Sequence, residues 1–509
     1  MKKYIFIITI LLLAFSLSAQ IVNGELLTVE GKKVLKIWGT HYERGYAHGY
    51  LLGDEIKELT DEFFVNYIFS GNAVMYEFVR NYFVTHFSID EKYQTEAEAM
   101  IIGMEEAGTN LYSSILSREL DSTDVLMPNA VTDFAAMTIF PDLNLGCSSI
   151  SSWNSATEED PNLSGEIVFT RFMDWTPHIT LLENHLLIVN FPSEEDEQNW
   201  MSFFFPGIIG VLSGINEHDV TAFMNVGNND TVTNEADLHP IFLTMRNGLE
   251  VADYDESGAD DNYDVMNAVA DKNHLTGSII HSICESGGII AECNNASRTS
   301  VRTDENNTII PVDHLVASNH FRTLYDPVYC YRYQGISDSL NSNPNMSAQR
   351  SWNVLSSAAG LVHNIHAIQF IPSMNQVRWA TASPGMPAYL SPQTVFDVNE
   401  LFSYNTQSYN EQVEEQVQVI NAFPNPFKSS TVISFLPTAD STESAELIIY
   451  NIKGQKVKTF TNFQINNSSN QQVFWDGKDA AGKSVSSGIY MCKLNSVSGI
   501  KTKKIVLLK

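Results

Sequence analysis

Cys147 sits behind a glycine in the run Gly146-Cys147-Ser148-Ser149. A thiol attacks as its thiolate, so a working cysteine needs a group that takes its proton and an environment that favours the anion. Charged and amide side chains follow it along the chain. Arg171-Phe172-Met173-Asp174-Trp175 carries a guanidinium and a carboxylate; Ser213-Gly214-Ile215-Asn216-Glu217, Asn225, Ser318-Asn319-His320-Phe321 and Arg350 come later. Upstream, Gly39-Thr40-His41-Tyr42-Glu43-Arg44-Gly45 runs into His48-Gly49. Without a third partner at metal-ligand spacing, His41 and His48 read as structural. Each residue alone has a plainer reading. A free cysteine is most often a small buried apolar residue, and an asparagine most often a turn or cap residue. It is the ordered set that points to chemistry.

A second candidate is the acidic stretch Asp253-Tyr254-Asp255-Glu256-Ser257-Gly258, continuing to Asp261 and Asp264. Oxygen side chains at loop positions 1, 3, 5, 9 and 12, with glycine at 6, resemble a calcium-binding EF-hand loop. Asp264 stands where a bidentate glutamate is usual, and a solvated acidic loop is the competing reading. Any calcium at residues 253–264 would be structural; the chemistry itself requires no cofactor.

The 509 residues suffice for several domains, and 44% hydrophobic with 18% charged residues supplies a large core. Acidic residues outnumber basic ones 60 to 30. Such a field repels nucleic acid and anionic membrane surfaces, so neither is an expected partner. Lys2 and Lys3, the apolar run Tyr4 to Phe15 and the small residue Ala19 give residues 1–19 the grammar of a cleavable signal peptide. No later stretch is apolar enough to span a membrane, so no transmembrane segment is expected in the mature chain. Export permits disulfides. Five cysteines, Cys147, Cys284, Cys293, Cys330 and Cys492, leave at least one unpaired within the chain. Cys284 and Cys293 flank Gly287-Gly288 and are a candidate pair.

The elements that must position these residues follow from periodicity. Leu26–Val29 and Val34–Trp38 read as a hairpin. Ile56, Leu59, Phe63, Tyr67 and then Tyr93, Ala97, Ile101, Met104 recur at helical spacing. After Gly146 come short β-rich runs at 166–173, 186–191, 200–205, 208–212 and 220–225, which read as an antiparallel sheet. Helices are expected at 265–270 and 350–362, with strands at 367–371 and 376–380. Strands mixed with helices, without a βαβ rhythm, indicate an α+β or layered αββα body over 20–405. Residues 406–419 read as a polar linker. Residues 420–509 read as a small all-β, immunoglobulin-like sandwich.

The tail carries Phe423-Pro424-Asn425-Pro426-Phe427, Ile449-Tyr450-Asn451-Ile452-Lys453-Gly454, Trp475-Asp476-Gly477-Lys478-Asp479 and Ser487-Gly488-Ile489-Tyr490. In that order these motifs resemble the type A sorting domain of the type IX secretion system. The resemblance implies export by that machinery, with the product secreted or attached to the surface.

The body's motifs together resemble the N-terminal nucleophile (Ntn) hydrolases, in the branch of the isopenicillin N acyltransferase-like peptidases. That resemblance implies a four-layer αββα fold and self-cleavage between Gly146 and Cys147, splitting the body into 20–146 and 147–405. The freed α-amine of Cys147, with a pKa of about 7.7–8.0, would then serve as the base. Asp174 would orient that amine, Arg171 would favour the thiolate, Asn225 and Asn319 would donate to the oxyanion, and Arg350 would close the network. Asp219 replaces the glycine usual after Asn216. An Arg-x-x-Asp spacing puts the two side chains on opposite faces of an ideal strand, so a bend near Asp174 is expected. The implied activity is hydrolysis or acyl transfer on a linear small-molecule amide through a Cys147 thioester. A phospholipase B-like esterase and an inactive surface-binding protein are the alternatives.

Overall fold

The computed structural model describes residues 21–134, 146–227, 237–294, 299–307, 309–358, 363–404, 421–423, 425, 427–435, 446–451, 453–460, 471–496 and 499–508. Residues 1–19 and 406–419, expected from the sequence to be a signal peptide and a linker, lie outside them, as do Pro424 and Pro426. Two compact units emerge, Met1–Ser403 and Tyr404–Lys509.

The body opens with the hairpin β1 (Gly24–Val29) and β2 (Lys32–Gly39), then α1 (His41–Glu58), α2 (Ala73–His86) and α3 (Glu91–Ala107). Strands β3 (Gly146–Ser152), β4 (Val168–Asp174), β5 (Leu186–Pro192), β6 (Trp200–Phe204), β7 (Ser213–Asn216) and β8 (Thr221–Gly227) follow. Then come α4 (Ile241–Glu250), α5 (Asn262–Ala270), β9 (Gly277–Cys284), β10 (Gly287–Cys293), β11 (Thr299–Arg302) and β12 (His314–Ala317). Last are α6 (Tyr331–Ser342), α7 (Ala348–Ala358), β13 (Asn364–Ile371), β14 (Gln376–Thr381) and β15 (Thr394–Asp397).

These strands form two sheets, of order β1-β2-β5-β6-β7-β8-β9-β10-β11 and β12-β3-β4-β13-β14-β15. All neighbours are antiparallel except β2 and β5, which run parallel. That parallel pair departs from the wholly antiparallel expectation. It arises because β2 is joined to β5 through α1–α3 and two strands of the other sheet, not by a hairpin. Phe169, Leu315, Ile368 and Trp379 of the smaller sheet share one apolar core with Leu187, Phe203, Phe223 and Ile290 of the larger. Helices α1, α4 and α5 cover the outer face of the larger sheet, with α3 packed on α1, and α6 and α7 cover that of the smaller. The body is therefore mixed α+β, two facing sheets between helical layers.

Local chemistry explains the start of this arrangement. Thr40 caps α1, with Glu43 completing a capping box. Gly45 and Gly49 then let α1 press onto α3. A Cβ at Gly45 would lie 2.1 Å from Glu96 O, and one at Gly49 1.9 Å from Met100 O. Beyond α1 the chain continues as a π-helix, Leu59–Ile68. The wider turn moves the apolar phase, so Tyr67, expected in the core, is 44% exposed. The run 208–212 is buried but is not the strand its apolar character suggests. It crosses α4 as irregular chain, Val211 N donating to Phe242 O at 2.9 Å.

Cys284 and Cys293 are both free and buried. In the β9–β10 hairpin Cys284 lies opposite Gly287 at the turn and Cys293 opposite Ser278 at the far end. That register holds them about 20 Å apart, far beyond disulfide reach. The second unit is all-β. β16 (Asn421–Phe423), β17 (Thr431–Phe435) and β20 (Gln471–Trp475) form one sheet; β19 (Lys456–Phe460), β18 (Glu446–Asn451), β21 (Gly488–Ser496) and β22 (Gly499–Leu507) form the other. They enclose Phe427, Ile449, Trp475, Tyr490 and Leu507.

Candidate active site

Cys147 is the second residue of β3, fully inside the fold. Its register partner on β4 is Met173, while Gly146 pairs with Asp174 and Ser149 with Arg171. Alternation then decides what each atom of the cysteine meets. The side chains of Cys147 and Arg171 point between the sheets, and Arg171 Nη2 donates to Cys147 Sγ at 3.1 Å. Arg171 is wholly buried. It also donates to Met224 O and Ser213 Oγ, each at 2.8 Å, and to His366 Nε2 at 2.9 Å. Burial holds His366 well below its usual pKa, so its ring is neutral and accepts this bond. Arg171 thus bolts one sheet to the other directly beneath the thiol.

Asp174 lies on the opposite face of β4, as the spacing requires. β4 runs straight to Asp174, and the irregularity expected there falls on the neighbouring strand, between Asn364 and His366. Asp174 therefore stands beside the Gly146–Cys147 peptide and not beside the sulfur. Burial pushes its carboxyl up to about 7, against the pull of Arg332 and Arg171. Burial also raises the Cys147 thiol pKa, with Arg171 opposing.

The Cys147 nitrogen does not meet Asp174. It donates to Asn319 Oδ1 at 2.9 Å. Asn319 Nδ2 in turn donates to Val226 O at 2.9 Å, so both ends of this amide are used within the protein. That departs from its expected part as an oxyanion donor. Phe321 fixes the segment by packing on Gly227, where a Cβ would fall 2.5 Å from its ring. Asn225 Nδ2 makes a longer bond, 3.3 Å, to Ser318 O, and among the described residues its buried Oδ1 has no partner.

The residue missing from the sequence reading is Arg332. Its Nη1 donates to Cys147 O at 3.2 Å and approaches Asp174 Oδ2 at 3.5 Å, while Nη2 donates to Asn319 Oδ1 at 2.5 Å. Arg332 stands in the first turn of α6, where the helix dipole disfavours a cation. A cation so placed signals an outside partner, but that signal needs the helix start to be known. Arg350 does not join this group. It donates to Ser339 O and Asn343 O at the C-terminal end of α6, about 10–15 Å along the helix from Arg332.

Gly146 leaves little space for a side chain: a Cβ would lie 3.1 Å from Arg332 Nη1 and 3.4 Å from Asp174 Cβ. The constraint here is space, not a positive φ. The opposite holds at Asp219, whose φ of 62° is the left-handed conformation a glycine adopts without strain. Asn216 Oδ1 accepts from His218 N and Val220 N in the same turn, so this motif builds the β7–β8 hairpin.

His41 and His48 serve packing and charge. His48 accepts from Gly207 N at 3.1 Å. His41 bridges Glu96 and Glu197, each at 2.8 Å. Arg44 pairs with Glu197 at 2.9 Å, Arg246 with Glu96 and Glu250 at 2.7 Å each, and Lys92 with Glu250 at 2.9 Å. Burial opposes the charge on His41, but Glu197 and Glu96 outweigh it and raise its pKa. Cations already neutralise this cluster, which leaves little attraction for a metal ion.

In the acidic loop, oxygens of Asp253, Asp255 and Asp264 lie within 4.8 Å of one another. Asp264 accepts from Asp255 N and Asp261 N, and Asp261 caps α5. Burial pushes Asp264 up to about 6. Asp253 accepts from Gly258 N, and Asp255 from Ser257 N and Asn267 Nδ2, so the same carboxylates also shape the loop.

Comparison with known proteins decides the tail. Residues 421–508 match the secretion system C-terminal sorting domain. The tail is a type IX sorting domain. It makes the chain a client of that secretion machinery and places it outside the cell or on its surface. No helix among the described residues is long and apolar enough to cross a membrane. The chain is 26% identical over 241 residues to protein dcd1B of Dictyostelium discoideum, 44% of this chain and 43% of that protein. The chain thus matches less than half the length of that relative. Among solved structures, a Caenorhabditis elegans N-acylethanolamine-hydrolyzing acid amidase ortholog aligns at TM-score 0.33 and 16% identity, over 49% of this chain and 99% of that one. Dimeric latent PorU from Porphyromonas gingivalis aligns at TM-score 0.16 and 14% identity, over 29% of this chain and 13% of that one. The body's chemistry has to be read from Cys147 and its surroundings.

Proposed function

We propose that the body is an exported Ntn amidase of the αββα class that cuts itself before Cys147 and then works through that cysteine. One observation carries this reading: the nitrogen, carbonyl and sulfur of one buried cysteine each meet a different side chain, Asn319, Arg332 and Arg171.

In the uncut chain the Cys147 nitrogen is an amide and cannot take a proton. Self-cleavage starts with attack of the thiol on the Gly146 carbonyl carbon. The C–N bond breaks as the nitrogen gains a proton, and water hydrolyses the resulting thioester. Gly146 becomes a carboxylate and Cys147 a free α-amine. That amine, with a pKa of about 7.7–8.0, takes the thiol proton at neutral pH. Asn319 Oδ1 already stands where it orients the amine, and Arg171 stabilises the thiolate. The thiolate attacks a linear amide, the amine product leaves with the proton, and water resolves the acyl-enzyme. Asn225, with its longer bond and unpartnered oxygen, is the amide best placed to turn toward a developing oxyanion, a contact typically worth ~2.7–4 kcal/mol. Hydrolysis is preferred over acyl transfer because water is abundant outside the cell.

Intact-mass analysis of the chain lacking residues 1–19, beside Cys147→Ala, tests this. Two fragments from the parent, one beginning at Cys147, with the variant uncut, are expected. A parent that stays whole sinks the mechanism and leaves a surface-binding protein. Release of fatty acid from phospholipid without amide cleavage would favour the phospholipase B-like reading.

A further inference from the structure

We propose that Glu292 is a positioning residue for Cys147, acting through the irregular segment between β12 and α6. The inference rests on the reading of Cys147 as the nucleophile.

Asn319 stands at the start of that segment, after Ser318, and Arg332 follows its end. Both grip Cys147, yet residues 318–330 form no helix or strand. Such a stretch has no ladder to satisfy its N–H groups and needs an acceptor from elsewhere. Glu292, on β10, supplies it. Its side chain is wholly buried. It accepts from Arg322 N at 2.9 Å, Thr323 N at 2.8 Å, Leu324 N at 3.0 Å and Thr323 Oγ1 at 3.1 Å. Three successive backbone N–H groups converging on one carboxylate make an anion nest, here filled by the protein itself.

Two arginines that meet this carboxylate, Arg302 by its side chain and Arg322 by its backbone, carry its hold to both flanks. Arg302 Nε donates to it at 3.3 Å, and Arg302 Nη1 donates to Val316 O at 2.8 Å, on the strand leading to Asn319. On the other flank the Arg322 guanidinium lies 4.2 Å over the ring of Tyr333, next to Arg332 in α6. Arg322 Nη1 also donates to Val328 O at 2.9 Å. Glu292 therefore ties together the strand before the segment, the segment, and the helix after it. An apolar side chain would fill this place without the cost of burying a charge. What it would not do is hold Asn319 and Arg332 at fixed distances from Cys147.

Glu292→Gln keeps the shape but turns one acceptor into a donor facing the nest. The test uses the full chain lacking residues 1–19, as wild type, Glu292→Gln, Glu292→Asp and Thr323→Val. Self-cleavage is followed by intact mass. Alkylation of Cys147 by iodoacetamide is followed across pH by peptide mapping, and thermal unfolding is recorded alongside. Glu292→Gln is expected to slow cleavage about tenfold, the loss of one or two hydrogen bonds to a charged group. It should also move the alkylation profile to higher pH, with Glu292→Asp restoring part of both. Thr323→Val, which leaves the buried carboxylate intact, should slow cleavage about threefold and keeps the test alive if Glu292→Gln fails to fold. A lower melting temperature with cleavage rate and alkylation profile unchanged overturns the proposal and leaves the Cys147 reading standing. A wild type that neither cuts nor shows a perturbed Cys147 overturns both.

Discussion

Arg332 Nη1 lies 3.2 Å from the carbonyl oxygen of Cys147, on the far side of the residue from the Arg171 guanidinium that touches its sulfur. Two arginines from different elements thus bracket one cysteine, one at its backbone and one at its thiol.

Removing the backbone bracket should cost rate more than stability. Arg332→Met loses the bonds to Cys147 O, Asn319 and Asp174 at a side chain near the surface. Self-cleavage is expected to slow by about 10- to 100-fold, the worth of one or two charge-assisted bonds. Arg332→Lys should recover only part, because a point charge does not reproduce the fork. Intact mass against time reads both. A rate unchanged in Arg332→Met would leave Arg332 without a part in the chemistry.

Gly146→Ala places a methyl 3.1 Å from Arg332 Nη1. The guanidinium has to give way by a few tenths of an ångström, so cleavage should slow by about three- to tenfold. Gly146→Val should slow it further. If glycine served only backbone freedom, alanine and valine would not be ranked by size.

The cut pieces should stay together. β2 pairs with β5 across the cut, and His41, Arg44, Lys92 and Glu96 of the first piece lock with Glu197, Arg246 and Glu250 of the second. Gel filtration of cut protein in high salt should show one peak. Arg246→Met leaves Glu96 and Glu250 buried without their main partner and should cost about 3–5 kcal/mol in urea unfolding. Two peaks from the unaltered protein would mean that this lattice does not bind the pieces.

Acid should destabilise the fold below neutrality. Burial holds His48, His274 and His314 at about 4 and His185 at about 3, and drives His281 and His366 well below the usual value. Unfolded, each takes a proton near pH 6.5, so the unfolded chain binds more protons as pH falls. Asp133 and Asp174, raised to about 7 by burial, and Asp264, raised to about 6, work the other way, as does His41. The histidines outnumber them. Unfolding free energy in urea should drop by roughly 2–4 kcal/mol from pH 7 to pH 5. A rise over that range would show that the carboxyl groups dominate.

Much of this molecule is written locally. The sorting tail is legible because its turns and strand motifs are short-range and occur in order. The hairpin β1–β2, helix α3, and strands β4, β5, β6, β8, β13 and β14 follow from period and turn residues alone. Cys147, Arg171 and Asn319 stand out as residue types in order, and the structure brings all three together.

Other features depend on tertiary structure for identifiable reasons. The failed strand at 208–212 is an apolar run whose shape α4 dictates. The Cys284–Cys293 pair fails on register, which a count of cysteines does not contain. Arg350 and Arg332 are indistinguishable as lone arginines in a chain. Helix α6 holds one at Cys147 and sends the other to its far end. The sequence alone determined the export tail, the mixed α+β character and the cysteine worth examining. Only the packing of two sheets decided which side chain meets its nitrogen, its carbonyl and its sulfur, because those contacts join residues as much as 185 positions apart.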